Sequence, residues 1–238
     1  MRIKITFSFD GSKFHGFQRQ NNVRNVQGFM EESLSKIYNE DIVIKGTGRT
    51  DASVHGVNYV AHYDVTKKVK NLKKKINLLV KPDVFVKNIK VVDESFHARF
   101  SVKSKVYIYK INVGKHETIK DNYYFQPRYK VDIKKLRDAA KVFVGTHDFR
   151  NFISGSRENY ITHINKINVY KFNNTIFIKF NGVGFYRYMV RNLVGAMLEV
   201  NKDKVTLIEL KDMLDNYLTK VELPTAPPFG LYLYKVHF

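Results

Sequence analysis

The chain has 238 residues, 44% of them apolar, which is enough to bury a substantial core in one large domain or two small ones and excludes a disordered polypeptide. Lys and Arg number 41 against 22 Asp and Glu, a formal charge of +19, so a polyanion is the natural partner, although a membrane surface or mere solubility would account for the same charge. The lack of Cys excludes disulfides, thiolate zinc sites and cysteine nucleophiles. No apolar run approaches the ~20 residues that span a bilayer and the N-terminus lacks a signal-peptide layout, so no membrane association is expected and cytoplasmic residence is the default.

Met1 to Asp10 reads as a strand, with Ile3, Ile5 and Phe7 alternating against Lys4, Thr6 and Ser8, a period of two. Asp10-Gly11 supplies a turn, and Lys13 to Gln27 a polar and aromatic loop. Val26, Phe29, Met30, Leu34 and Ile37 mark one face of a helix. Ile42 to Lys45 and Val57 to Tyr63 read as strands, Val69 to Val80 as a helix burying Leu72, Ile76 and Leu79, and Phe85 to Val92 as a strand. Lys73, Lys74 and Lys75 lie partly outside that helix stripe and read as a solvated face, with RNA backbone as the functional alternative. This is a split βαβ order.

The order then recurs. A strand at Val102 to Val113 precedes a basic, aromatic loop, Lys115 to Lys130, and a helix capped by Asp132 and ended by Gly145. Next come a hairpin from Ile164 to Phe180 turning at Asn173-Asn174, a helix at Phe185 to Val200, and a helix opened by the capping box Thr206 and Glu209. A rigid turn, Pro224 to Gly230, leads into a last strand, Leu231 to Phe238. The expected fold class is α+β: two ferredoxin-like halves with pseudo-twofold symmetry, mostly antiparallel sheets and a central active-site cleft. The boundary is placed near Phe100, giving an N-terminal half at 1–100 and a C-terminal half at 101–238.

The richest chemistry lies between the second and third expected strands, in Gly48-Arg49-Thr50-Asp51-Ala52-Ser53-Val54-His55-Gly56. A cation, two hydroxyls, a carboxylate and an imidazole stand between glycines that permit close ligand approach. The bland reading is a solvated loop whose Asp caps its own backbone. Gly182-x-Gly184 could cradle a phosphate before a helix, but Arg187 stands where the dinucleotide fingerprint needs its third glycine. None of the eight His forms a helix-spaced pair, so His55, His62 and His97 read as hydrogen-bonding residues and no metal site is expected.

The Gly48 to Gly56 stretch resembles the GRTDAGVH motif of the TruA family of tRNA pseudouridine synthases, with Ser53 where the family usually has Gly. Phe17-Gln18-Arg19-Gln20 is similar to that family's GWQRQ segment, and Phe96-His97-Ala98-Arg99-Phe100-Ser101 to its FHARFS segment. Gly145 to Phe149, Phe185 to Gly195 and Gly230 to Leu233 resemble three further segments of the same family, in order. The resemblance implies isomerisation of uridine to pseudouridine in the tRNA anticodon stem-loop, at positions 38, 39 and 40, by a homodimer. It implies that Asp51 is the catalytic carboxylate, Tyr107 the active-site ring and Arg191 the partner of Asp51. The reaction has no redox change and adds no group, so no cofactor and no metal are expected. The Asp acts as nucleophile or as general base, two routes the residues leave open.

Arg49 is the expected wedge or phosphate hook, and Arg19, Gln20, His55 and Arg99, all in matched motifs, are candidate RNA and substrate contacts. Lys13 to Asn25 and Lys115 to Lys130 are the expected RNA-contacting loops. The competing readings are a pseudouridine synthase with another RNA target, a non-catalytic basic RNA-binding protein, and a charged scaffold.

Overall fold

Alternation in the first residues does what its period requires. Strand β1 (Arg2–Phe9) buries Ile3, Ile5, Phe7 and Phe9 and leaves the residues between them half-exposed. In the computed structural model, which describes residues 1–216 and 223–238, β1 is followed by α1 (Val26–Tyr38), β2 (Lys45–Gly46), β3 (His55–Asp64), α2 (Leu72–Val80) and β4 (Val84–Val92). Then come β5 (Ser104–Asn112), α3 (Ile133–Val142), β6 (Gly145–Asp148), β7 (Ile161–Phe172), β8 (Thr175–Gly182), α4 (Met189–Asn201), α5 (Leu207–Asp215) and β9 (Leu231–His237). The chain is thus mixed α+β, and its strand pairs are antiparallel except for β3 with β9 among those with a defined register. No helix among the described residues is long and apolar enough to cross a membrane.

Backbone contacts group the chain into two units, Met1–Lys103 with Tyr232–Phe238, and Ser104–Leu231. In the first unit the strands run β4-β1-β3, with β2 also on β3 and β9 beside the start of β3. Its core is aromatic: Phe7, Phe9, Phe17 and Tyr59 are buried, and Phe17 stacks on Tyr59 at 4.4 Å between centroids. In the second unit the order is β5-β8-β7-β6, with every neighbouring pair antiparallel. Helix α3 packs on β7 and α4. From Leu193 to Leu198 α4 is apolar and buried on all sides, as a helix apolar around its whole circumference must be. The buried Glu199 and Asn201 that follow are paired with Lys202 and with Asp132 N, respectively.

Five local expectations need correction, the first being that Leu79 is exposed and Val80 takes the buried place on α2 beside Leu72 and Ile76. Ile42 to Ile44 is not a strand, because helix α1 supplies side-chain acceptors for its amides: Ile42 N donates to Ser35 Oγ (2.9 Å) and Ile44 N to Glu31 Oε1 (3.0 Å). Only Lys45 and Gly46 pair with β3. Helix α4 starts at Met189 rather than Phe185, since Tyr188 takes a left-handed backbone (φ 61°) that breaks any earlier turn. Gly182 ends β8, so the Gly182-x-Gly184 pair is not at the start of that helix. Gly145 opens a short strand, β6, whose Gly-Thr-His-Asp sequence carries no apolar alternation to reveal it.

One buried base makes the first unit sensitive to acid. His62 on β3 is fully buried, and its Nδ1 accepts from Ala98 N at 3.1 Å. Burial first, then the neighbouring His97 and Arg2, lowers its pKa to about 4. The unfolded chain therefore binds this proton at higher pH than the folded one, and the stability present above pH ~6.5 is lost as pH falls toward 4. We expect this group to cost about 2 kcal/mol between pH 7 and pH 5. Urea midpoints at both pH values check this, with His62→Gln showing a smaller pH dependence than the native chain.

Candidate active-site loop

The turn carrying Asp51 is tied down along its backbone. Phe17 N donates to the Thr50 carbonyl (3.3 Å), Ser53 N to the Phe14 carbonyl (3.3 Å), and Val54 N to the Asp51 carbonyl (3.2 Å). At the entrance, the Tyr59 hydroxyl donates to the Gly48 carbonyl and accepts from Gly48 N. At the exit, Gly11 N donates to Nδ1 of the buried His55, whose ring stacks on Tyr232 at 4.5 Å. The same Nδ1 lies 3.4 Å from Asp10 Oδ1, so His55 ties the end of the loop to the Asp10-Gly11 turn. These ties leave Asp51 half-buried and Arg49 exposed.

The loop before α1 lies against this turn so closely that Gly16 has no room for a side chain. A Cβ there would stand 2.5 Å from the Thr50 carbonyl oxygen, and φ is +88°. That approach brings Gly16 and Phe17 beside the backbone of Thr50 and Asp51, with Arg19 and Gln20 following in sequence. Arg19 is exposed but ordered: its guanidinium meets the buried Glu31 carboxylate at 3.0 Å, and its amide donates to Gln27 Oε1. Gln20 reaches the His15 carbonyl with its Nε2 at 3.2 Å. Arg99 lies elsewhere. Its turn, Phe96 to Ser101, is fastened to His62, about 20 Å further along β3 than His55.

Ser53 occupies a left-handed conformation, φ 63°, which an L-residue with a Cβ adopts at a cost of roughly 1–2 kcal/mol. The serine that stands in place of glycine therefore carries backbone strain. Ser53→Gly should raise stability by up to about 1 kcal/mol, the remainder being offset by glycine's freedom in the unfolded chain. Thermal midpoints of the two proteins measure this, and Ser53→Val should lower the midpoint.

Tyr107 and Arg191 belong to the second unit. Tyr107 is buried on β5, opposite Phe180 of β8, with the edge of Phe185 at 5.3 Å. Arg191 sits in the first turn of α4, where its Nε donates to the Ala226 carbonyl (2.8 Å) and its own carbonyl accepts from Ala226 N (3.1 Å). Its guanidinium carbon lies 4.9 Å from the centre of the Tyr188 ring. The carbonyl next along, that of Pro227, takes the hydroxyl of buried Tyr109 at 2.9 Å, and burial pushes that phenol's pKa upward. Residues 226 and 227 thus act as a strap fixing Arg191. Tyr59, Gly16 and Glu31 were not singled out in the sequence: nothing at Tyr59 distinguishes it from an ordinary strand tyrosine, though Gly16, just before Phe17, stood beside a matched motif. Among the described residues no three His, Asp or Glu side chains converge as a metal-ligand set.

A family model described as tRNA pseudouridine synthase matches residues 5–101 and 139–238. The tRNA pseudouridine synthase A of Thermosipho melanesiensis is 36% identical over 242 aligned positions, covering 100% of this chain and 99% of that one. The protein of the same name from Malacoplasma penetrans is 37% identical, covering 99% of both chains. That of Anoxybacillus flavithermus is 36% identical, covering 100% of this chain and 98% of its own. The chain is therefore an enzyme of the isomerase class. It belongs to the TruA family of tRNA pseudouridine synthases.

Proposed function

We propose that the protein isomerises uridines 38, 39 and 40 of the tRNA anticodon stem-loop to pseudouridine. The observation that carries this reading is the immobilised Asp51 turn, set in a chain matched end to end by proteins named tRNA pseudouridine synthase A. The reaction breaks the N-glycosidic bond, turns the uracil and rejoins it through carbon. It needs an ionised carboxylate beside ribose and base, a role that falls to Asp51. Because a carboxylate in a dry pocket takes up a proton, a guanidinium at ~4 Å is needed to lower its pKa by roughly 1–3 units. Arg191 is assigned that part, and the strap that fixes its Nε is what a positioned cation requires.

Tyr107 is assigned to the base, where ring contact is worth about 1–3 kcal/mol without a fixed hydrogen-bond pattern. Arg49, exposed at the turn, is assigned to the vacated position or a phosphate, since extruding a nucleotide costs a few kcal/mol. Arg19 and Gln20, which follow Phe17 in sequence, are assigned to RNA. The buried His55 serves substrate binding through the loop it fixes, and Arg99 meets RNA away from the isomerised nucleotide. The same reading places the enzyme in the cytoplasm as a homodimer of two-part chains, 1–100 and 101–238. It makes both parts ferredoxin-like, supported in the first by the strand order β4-β1-β3-β2.

Carbodiimide mapping of tRNA from cells lacking the protein tests the assignment. Loss of pseudouridine at positions 38 to 40 supports it, and loss only at other positions assigns another target. The salt dependence of tRNA binding checks the charge argument, since each phosphate contact steepens log K against log salt by about 0.7–0.9.

A further inference from the structure

A second concentration of chemistry lies in the second unit, in Arg150 to Tyr160 and in the loop before α4, and the roles assigned above do not use it. Arg157 lies 4.1 Å over the Tyr186 ring, Arg187 5.0 Å over Tyr188, and Arg150 4.8 Å over Tyr160. The supports are fixed: the Tyr186 hydroxyl donates to the Ile161 carbonyl (3.0 Å), Arg157 N to the Tyr160 hydroxyl (3.1 Å), and Ser154 N to the Arg187 carbonyl (3.1 Å). Tyr188 holds its ring from a left-handed backbone, φ 61°, a strain that a bulky residue carries where the surroundings impose it.

The charges differ in a telling way. Arg150 is neutralised by Asp148 at 2.9 Å. Arg157 and Arg187 are exposed, and among the described residues neither has a carboxylate within ion-pair distance. Two unneutralised guanidinium groups are thus held over half-buried rings on neighbouring loops. A solvated surface does not need such order, because rotamer entropy favours free arginines.

We propose that Arg157 and Arg187, backed by Tyr186 and Tyr188, form a platform on which unpaired bases of the RNA substrate stack while the guanidinium edges meet adjoining phosphates. A planar, weakly hydrated guanidinium stacks on a base and donates at its edge, whereas a lysine ammonium offers charge alone. The inference rests on the proposed tRNA reading.

The test measures pseudouridine formation on a full tRNA transcript by the native enzyme, Arg157→Gln, Arg187→Gln and Arg157→Lys. It also follows the fluorescence of 2-aminopurine placed in the unpaired loop of an anticodon stem-loop. The expected result is a KM raised about tenfold in each Gln variant, the change falling on KM rather than kcat, with weaker 2-aminopurine quenching. Arg157→Lys should recover the salt slope but neither the KM nor the quenching. Unchanged KM and quenching in both Gln variants, or a lowered thermal midpoint with unchanged KM, would reduce the cluster to an internal staple and overturn the proposal. If the native enzyme forms no pseudouridine yet quenches 2-aminopurine in an Arg157-dependent way, the platform stands and the assigned reaction fails.

Discussion

Asp51→Asn is expected to abolish pseudouridine formation, lowering the rate by at least about a thousandfold, while tRNA affinity stays within about twofold. The asymmetry follows from the loop's construction. The turn is held along its backbone, through the carbonyls of Gly48, Thr50 and Asp51 and the amides of Gly48, Ser53 and Val54, and none of these bonds is lost when the carboxylate becomes an isosteric amide. What it removes is the negative charge, and an amide neither attacks carbon nor accepts a proton at neutral pH. Filter binding of labelled tRNA alongside a turnover assay separates the two effects. Equal losses in both would mean that Asp51 shapes the loop and takes no part in the chemistry.

Gly195→Ala is expected to destabilise the second unit by about 2 kcal/mol, against the direction that helix propensity dictates. Inside a helix, alanine is normally better than glycine by about 1 kcal/mol. At Gly195, however, a Cβ would lie 1.8 Å from the Pro224 carbonyl oxygen, and a backbone atom cannot turn aside as a side-chain tip can. Either α4 or Pro224, two residues before the strap, must move, at an overpacking cost of roughly 1–3 kcal/mol or more. Because Ala226 of the same strap bonds both ways to Arg191, kcat should fall along with the melting temperature. A raised melting temperature would show that the strap does not bear on this helix.

Much of the fold was legible because its signals were local. The alternation of β1, the N-cap at Asp132, the Asn173-Asn174 turn and the Thr206–Glu209 capping box all stand where the residues put them. What escaped was decided by partners distant in sequence. Ile42 and Ile44 look like strand residues, and only the folded chain reveals that Ser35 and Glu31 have taken their amides. The left-handed turn at Tyr188 cannot be read from a tyrosine, a bulky residue type ill suited to it. At the candidate site the same division holds. Asp51, Tyr107 and Arg191 are candidates because they stand in motifs, whereas the groups that fix the loop and the strap, Gly16, Tyr59 and residues 226 and 227, act through contacts with backbone that leave no mark in composition or period.

The most direct measurement is tritium release from a tRNA transcript carrying 5-tritiated uridine, because joining carbon 5 to the ribose must expel the hydrogen there. The native protein alone, without added cofactor, should release tritium on a scale of seconds to minutes, and Asp51→Asn should release none above background. No release by the native protein, or undiminished release by Asp51→Asn, would contradict the account.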